Sequence, residues 1–187
     1  MLAPDYPIAT ARLRLRPVAV EDAPALAAYQ SLADVCRYIP YEPRGADVLR
    51  ERIADPALNR SSLDAEGQNI WLAVVRQADD VLVGDVLFMY HSEKHRCGEI
   101  GYVLDPRYAG NGYATEAAAA LLRLGFGELG LHRIVGRIDA RNEASAAVLH
   151  RLGMRQEAVL VENEFFKGEW TDEIDFAILD REWRARQ

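Results

Sequence analysis

Cysteine is scarce in this sequence of 187 residues, which has only Cys36 and Cys97. The two lie far apart and form no C-x-x-C pattern, so neither a disulfide framework nor a cysteine-based zinc site is expected. Long hydrophobic runs are also missing, since no stretch approaches the roughly 18 uninterrupted apolar residues of a membrane span. The first residues, Met1 to Asp5, carry neither the basic nor the apolar segment of a secretory signal. We therefore expect a cytoplasmic protein without a membrane segment.

Positive charge is in deficit. The chain has 22 Lys and Arg residues against 29 Asp and Glu residues, which gives a formal net charge of −7. A surface that follows nucleic-acid phosphates usually needs a basic excess, so a nucleic-acid partner is not expected. The acidic balance fits a cationic small partner, although net charge can also serve solubility alone. With 50% hydrophobic residues and no linker or repeat, residues 1–187 are expected to form one domain.

Hydrophobic periodicity predicts the order β-α-α-β-β-β-α-β-α-β-β. Alternating leucines and arginines indicate a half-buried first strand, and a run of alanines and leucines indicates a helix after a pair of glycines. The expected strands are Ala11–Arg16, Ile70–Val75, Val81–Tyr90, Ile100–Leu104, His132–Ile138, Arg155–Glu164 and Asp172–Leu179. The expected helices are Glu21–Leu32, one capped by Asp47, Gly112–Phe126, and one from Asn142 to Leu152. The fold class is therefore α/β with a mixed sheet, including a parallel βαβ unit around residues 100–138.

A glycine-rich turn follows the fourth of these strands and opens the alanine-rich helix. Glycines at 110 and 112 allow a tight turn without a Cβ, and successive N–H groups at a helix start form an anion site. We expect a phosphate or pyrophosphate at Ala109 to Ala114, with Arg107 as an added donor. The alternative is a plain strand-to-helix turn. A dinucleotide fingerprint would need glycine or alanine at Thr115, and no Gly-Lys-Ser/Thr of a P-loop occurs.

The turn Arg107-x-x-Gly110-x-Gly112 resembles the acetyl-coenzyme A signature of the GNAT N-acetyltransferases. Four further blocks resemble the ribosomal-protein-alanine N-acetyltransferase-like branch of that family, in the order in which that branch has them. They are Thr10-Ala11-Arg12-Leu13-Arg14-Leu15-Arg16-Pro17, Glu99-Ile100-Gly101-Tyr102, Asn142-x-x-Ser145 with Leu152-Gly153-Met154, and Lys167-Gly168-Glu169-Trp170-x-Asp172. The resemblance spans nearly the whole chain and implies the GNAT fold, in which the fourth and fifth strands splay apart around acetyl-CoA.

The resemblance also implies which residues hold acetyl-CoA. Its pantetheine arm would pair with the backbone of Tyr102, Val103 and Leu104 and contact Asn142. Its pyrophosphate would lie on the turn, a set formed by Arg107, Ala109, Gly110, Asn111, Gly112, Tyr113, Ala114 and Thr115. No metal is expected, because the spacing of His91, His95 and Cys97 matches no standard zinc pattern.

Two residues take the positions of the family's catalytic groups. Glu99 would act as the general base that takes a proton from the attacking amine; the alternative is a solvated charge at the end of a turn. Ser145 would lie near the sulfur and serve the departing thiolate, although a serine also fits the first turn of a helix. Asn142 can cap the same helix whether or not it contacts the pantetheine arm.

The loop Tyr38-Ile39-Pro40-Tyr41-Glu42-Pro43 is the expected acceptor pocket, with Tyr38, Tyr41 and Glu42 suited to a cationic amine. The alternative is a loop held down by its own aromatic rings. The sequence thus predicts an acetyl-CoA-dependent N-acetyltransferase that acts on a protein or peptide N-terminus. A small-molecule amine such as an antibiotic or polyamine, or a non-catalytic CoA-binding module, remains as an alternative. The protein would be a monomer or a homodimer.

Overall fold

The computed structural model describes residues 3–187. Its strands and helices follow one another along the chain, with short 3₁₀ turns before α1 and after β5. They are β1 (Ile8–Ala9), β2 (Leu13–Pro17), α1 (Ala23–Gln30), α2 (Ala33–Cys36), α3 (Ala46–Ala54), β3 (Asn69–Arg76), β4 (Val81–Ser92), β5 (Cys97–Leu104), α4 (Tyr113–Arg123), β6 (Arg133–Asp139), α5 (Glu143–Arg151), β7 (Arg155–Phe166), β8 (Glu169–Leu179) and α6 (Asp180–Arg184). No helix within residues 3–187 is long and apolar enough to cross a membrane.

The eight strands form one sheet in the order β1-β2-β3-β4-β5-β6-β8-β7. Every neighbouring pair is antiparallel except β5 and β6, which are parallel and are connected through α4. This confirms the predicted mixed sheet and its parallel βαβ unit. The parallel pairing is short: it runs from Cys97 opposite Arg133 to Glu99 opposite Val135 and then stops. Beyond that point β5 and β6 separate.

Alternation along the strands sorts apolar side chains onto two cores. In β3, Ile70, Leu72 and Val74 face a core that contains α4, α5 and α6, whereas Trp71, Ala73 and Val75 face α1 and α3. Both sets are buried because β3 lies inside the sheet with helices on either side. The predicted half-buried strand is confirmed in β2, where Leu13 and Leu15 are fully buried.

Several elements differ from the sequence prediction. The short pieces β1, α2 and α6 were not predicted, because segments of two to five residues show little periodicity. Asp47 was predicted to cap a helix, but α3 begins at Ala46 and its N-cap is Gly45. The helix after the glycine turn continues as a π-helical turn over Leu124–Glu128. A Cβ at Gly125 would lie 2.6 Å from Ile134 Cδ1, so the glycine there allows close packing on β6.

Candidate functional site

A cavity of about 540 Å³ opens where β5 and β6 separate. Its floor is the sheet face that carries Glu99 and Arg137, and its roof is formed by residues 38–41, Arg44 and Arg52 of α3. Through the gap in the sheet the cavity also reaches Asn142 and Ser145 of α5, which pack on the opposite face. The splayed strands therefore create a passage from one face of the sheet to the other.

The glycine turn lies beyond the end of β5 and has the geometry of an anion cradle. Gly110 and Gly112 have φ of +78° and +77°, a backbone region that favours glycine. The first N–H of α4 that bonds back to the turn is that of Glu116, at 3.0 Å from the Gly112 carbonyl. The preceding N–H groups at the helix start point outward without intrahelical acceptors. A Cβ added at Gly110 would meet nothing within 4 Å, so the space over the turn is open.

The Arg107 guanidinium is turned onto the carboxylate of Asp105, with Nε 2.9 Å from Oδ2. Asp105 is buried and Arg107 is mostly exposed. Burial opposes ionisation of Asp105, but hydrogen bonds from the Arg107 side chain and backbone outweigh it and lower the pKa of this carboxyl. Arg107 therefore shapes the turn and still presents part of its charge to solvent.

The side chains of Asn111, Tyr113 and Thr115 all point away from the open space over the turn or bond within it. Asn111 donates to the carbonyls of Tyr108 and Ala109 and so holds the turn closed. The Tyr113 side chain is buried in the core, which leaves its N–H as the group available to a ligand. Thr115 Oγ1 is shut off from solvent and has no hydrogen-bond partner in residues 3–187.

Glu99 lines the cavity and is not a solvated charge, since only 13% of its side chain is exposed. Its Oε2 accepts a 2.7 Å hydrogen bond from Arg137 Nη1 and lies 2.7 Å from His91 Nε2. Glu99 therefore has one oxygen held by two neighbours, and Oε1 receives no hydrogen bond from the part of the chain that the structure describes.

Asn142 and Ser145 meet Tyr102 across the gap. Asn142 Oδ1 accepts from the Ser145 N–H at 3.1 Å, which confirms the predicted N-cap of α5. The Tyr102 hydroxyl donates to the Ser145 carbonyl at 3.0 Å. Burial raises the pKa of Tyr102 well above its usual range, so this hydroxyl keeps its proton. The sequence predicted a role only for the backbone of Tyr102, and the structure adds a contact of its side chain with Ser145.

The predicted acceptor loop reaches the cavity only in part. Tyr38 and Tyr41 line it, but Glu42 does not. The chain turns at the two prolines, and Glu42 lies exposed beside a separate shallow depression with Arg37, Arg141 and Lys167. Glu42 therefore lies outside the cavity in which it was expected to hold an amine.

Asp85 is a further residue of the cavity that the sequence reasoning missed. It lies in the middle of β4 and is nearly fully buried, and it accepts hydrogen bonds from Tyr29, Gln30 and Trp71. Burial raises the pKa of this carboxyl, and the three hydrogen bonds offset the effect only in part. A charged residue inside an otherwise apolar run was the available signal.

The described residues contain no group of three or more His, Cys, Asp or Glu side chains placed to hold a metal ion. In the turn that joins β4 to β5, His91 is instead a partner of Glu99.

Comparisons of sequence and of structure with known proteins point to the same family. The family described as "Acetyltransferase (GNAT) domain" matches residues 12–155. The chain is 35% identical over 182 residues to "Uncharacterized N-acetyltransferase YnaD" of Bacillus subtilis, covering 94% of this chain and 98% of that protein. A GNAT-family acetyltransferase structure from Bacillus anthracis shows 32% identity and a TM-score of 0.81, covering 93% of this chain and 98% of the other. The spermidine N-acetyltransferase of Vibrio cholerae in complex with CoA and spermine shares the fold, with 23% identity, a TM-score of 0.76, and coverage of 94% and 99%.

Proposed function

The chain belongs to the GNAT family and is an N-acetyltransferase, and from that premise we propose that it acetylates the amino terminus of a peptide or protein by direct attack on acetyl-CoA. One observation carries the proposal: the gap between β5 and β6 opens a carboxylate-lined cavity toward both faces of the sheet, and the glycine turn follows the end of β5. Such a passage lets a thioester and an amine approach one another from opposite faces of the sheet, so that proximity contributes to the rate.

Acetyl-CoA supplies an acetyl group activated as a thioester. In our proposal the N–H groups of the turn from Gly110 to Thr115 bind its pyrophosphate, since Gly110 has a positive φ and open space at its Cβ position. Residues Tyr102 to Leu104 lie along the gap, where the strand edge of β5 lacks a partner and can bind an amide-containing chain.

Glu99 is the proposed general base. A peptide α-amine has a pKa near 8 and is mostly protonated at neutral pH, so it must lose a proton before it can attack. Glu99 Oε1 is free to accept that proton, while Arg137 and His91 hold the other oxygen in place. The exposed His91 connects this carboxylate to solvent, where the proton can leave.

The departing thiolate needs a hydrogen-bond donor. We assign this role to the Ser145 hydroxyl, because Ser145 lines the cavity at the far side of the gap. Two hydrogen bonds fix the position of Ser145: its N–H donates to Asn142, and its carbonyl accepts from the Tyr102 hydroxyl. The acceptor would lie under the roof formed by Tyr38 and Tyr41.

A polyamine is the second candidate acceptor, and one observation favours it. The cavity wall next to β7 and β8 carries Glu164, Asp172 and Glu173. Burial and the neighbouring carboxylates of Glu164 and Asp175 raise the pKa of Glu173, so a bound cation would relieve the crowding of negative charge at this wall. The Vibrio cholerae relative, which was solved with spermine, acts on such an amine.

The test is release of free CoA thiol from acetyl-CoA over a panel of peptides with free N-termini, polyamines and aminoglycosides. Turnover with peptides supports the proposal, and turnover with polyamines alone supports the second candidate. CoA binding without turnover for any acceptor would identify a non-catalytic module and overturn both.

A further inference from the structure

Two arginines in the roof of the cavity have no acidic partner. Arg44 and Arg52 both line it, and neither lies within 4.0 Å of a carboxylate oxygen anywhere in residues 3–187. Arg52 Nε is shut off from solvent and has no hydrogen-bond partner. By contrast, Arg137 in the same cavity pairs with Glu99.

The two guanidinium groups also repel one another. Burial and the nearby Arg52 lower the pKa of Arg44. The Arg44 guanidinium carbon lies 3.5 Å from the centre of the Tyr41 ring, which stabilises that one cation by a contact with the π-face. This contact does nothing for Arg52. Half-buried, unpaired like charges are unfavourable, and they persist in proteins where a ligand of opposite sign binds them.

Asp85 acts on Arg44 through space, but it lies outside salt-bridge distance of both guanidinium groups, and one carboxyl group cannot balance two positive charges. Its oxygens are occupied by Tyr29, Gln30 and Trp71, and its burial favours the uncharged form. The roof end of the cavity is therefore positive, whereas the walls at Glu99 and at β7 and β8 are negative. A polyamine complements only the negative side.

The register of the sheet gives the separation between the two ends. Asp85, which lies on the Arg44 side, pairs with Val103 of β5, four residues from Glu99. Four residues of strand correspond to about 13 Å. With one hydrogen bond of about 3 Å at each end, an acceptor that reaches both ends carries its amine and its anion about 7–10 Å apart, the span of two to three extended residues.

We propose that Arg44 and Arg52 bind a carboxylate of the acceptor, so that the preferred substrate is an N-terminal amine with a carboxylate two to three residues away. This inference rests on the proposed function and specifies its acceptor. The carboxylate can be the free C-terminus of a tripeptide or an acidic side chain near the start of a longer chain. Arginine forks suit either source, because they bind carboxylates with two parallel hydrogen bonds.

The experiment compares kcat/KM for three acceptors: the tripeptide Ser-Ala-Ala as the free acid, the same peptide as the C-terminal amide, and the amide of Ser-Ala-Glu. We expect the free acid to exceed its amide by about 10- to 100-fold, as for the loss of one charged hydrogen-bonding partner. Activity of the Ser-Ala-Glu amide at or above that of the free acid would identify the side chain as the source. Equal values for all three peptides would overturn the inference while leaving the proposed function intact.

Three variants locate the effect. Arg44→Gln and Arg52→Gln should each reduce the preference for acid over amide toward unity by lowering the rate with the acid alone. Arg50→Gln is the matched control, since Arg50 lies on the same helix, pairs with Asp47 and is exposed; it should retain the full preference. An unchanged preference in both cavity variants would overturn the assignment.

Binding provides a readout that does not depend on turnover. Calorimetry with the N-acetylated tripeptide, in the presence of CoA, should show tighter binding of the acid than of the amide. If no amine is turned over, the proposed function fails, and this comparison still tests the arginine pair. Equal binding of the acid and the amide, or binding of neither, would overturn the proposal that Arg44 and Arg52 bind a carboxylate.

Discussion

Arg137 donates a 2.7 Å hydrogen bond to Glu99, which forms the last residue pair of β5 and β6 with Val135, two residues before Arg137. Arg137 Nε also lies 3.5 Å from Asp175 Oδ1 on β8. The guanidinium thus fixes the carboxylate at the point where the gap begins. A residue held in this way can accept a proton without first having to find the correct rotamer.

Replacing Glu99 with glutamine should lower kcat/KM by about 100-fold or more, because the amide cannot take the proton. The loss should grow as the pH falls below about 8, since the fraction of unprotonated α-amine then falls by about tenfold per unit. Thiol-release rates over this pH range measure the effect. Glu93→Gln, an exposed change in the neighbouring turn, is the control. A profile for Glu99→Gln that matches the native enzyme would exclude Glu99 as the base.

Replacing Gly110 with alanine should weaken CoA binding by about tenfold and cost about 1–2 kcal/mol of stability, since φ is +78° and the added methyl enters the open cradle. Calorimetry with CoA and chemical denaturation give the two quantities.

Gly67→Ala is the matched control for this variant. Gly67 has φ of +83° and open space around its Cβ position, but it lies in the loop before β3. It should show the same loss of stability and unchanged CoA affinity. Equal CoA affinity in both variants would remove the turn from the binding site.

Two changes at Asn142 separate its roles. Asn142→Ala removes the cap of α5 and should cost about 1 kcal/mol, whereas Asn142→Asp retains a capping oxygen and should remain near native stability. If the side-chain amide also contacts the pantetheine arm, as we propose, both variants should bind CoA more weakly. Native CoA affinity in the aspartate variant would show that Asn142 acts only as a cap.

Asp85 should make the native protein less stable as the pH rises. Burial raises its folded pKa above the value of about 3.9 expected in the unfolded chain. Its contribution is therefore complete below that value and is lost as the pH rises through the folded pKa. Relative to the native protein, Asp85→Asn should gain stability as the pH rises above about 4, which urea unfolding at about pH 4 and at about pH 8 measures. A constant difference between the two proteins would contradict this.

The sequence was sufficient for the elements that carry a strong local pattern. The alternation around Leu13 and Leu15, the apolar runs of β3 to β5, and Asn142 as the cap of α5 are each recognisable within a few residues. Helix ends were less predictable. The helix predicted to end at Phe126 runs on as a π-helical turn to Glu128, where Gly125 allows close packing on Ile134, a contact made only in the folded chain.

The candidate site was predictable where it depends on a motif and not where it depends on tertiary contacts. The positive φ of Gly110 and Gly112 follows from glycine at a turn. Arg44, Arg52 and Asp85, in contrast, are brought to one cavity from α3, its preceding loop and β4, and no spacing in the sequence relates them. Glu42 shows the converse: adjacent residues of a loop can face different surfaces, so Tyr41 lines the cavity and Glu42 does not, although the two are neighbours in the sequence.

Because the β5–β6 pairing ends early, the sheet has few backbone hydrogen bonds at the passage. Strands β1 to β5 and β6 to β8 are two half-sheets that share three residue pairs, with α4 and α5 packed over the junction. Backbone amides of β5 that face the gap have no strand partner, and such amides exchange readily with solvent. A ligand in the gap would supply hydrogen-bond partners for these amides of β5. Ligand binding should therefore slow the hydrogen exchange of the amides of residues 100–104 and stabilise the contact between the two half-sheets.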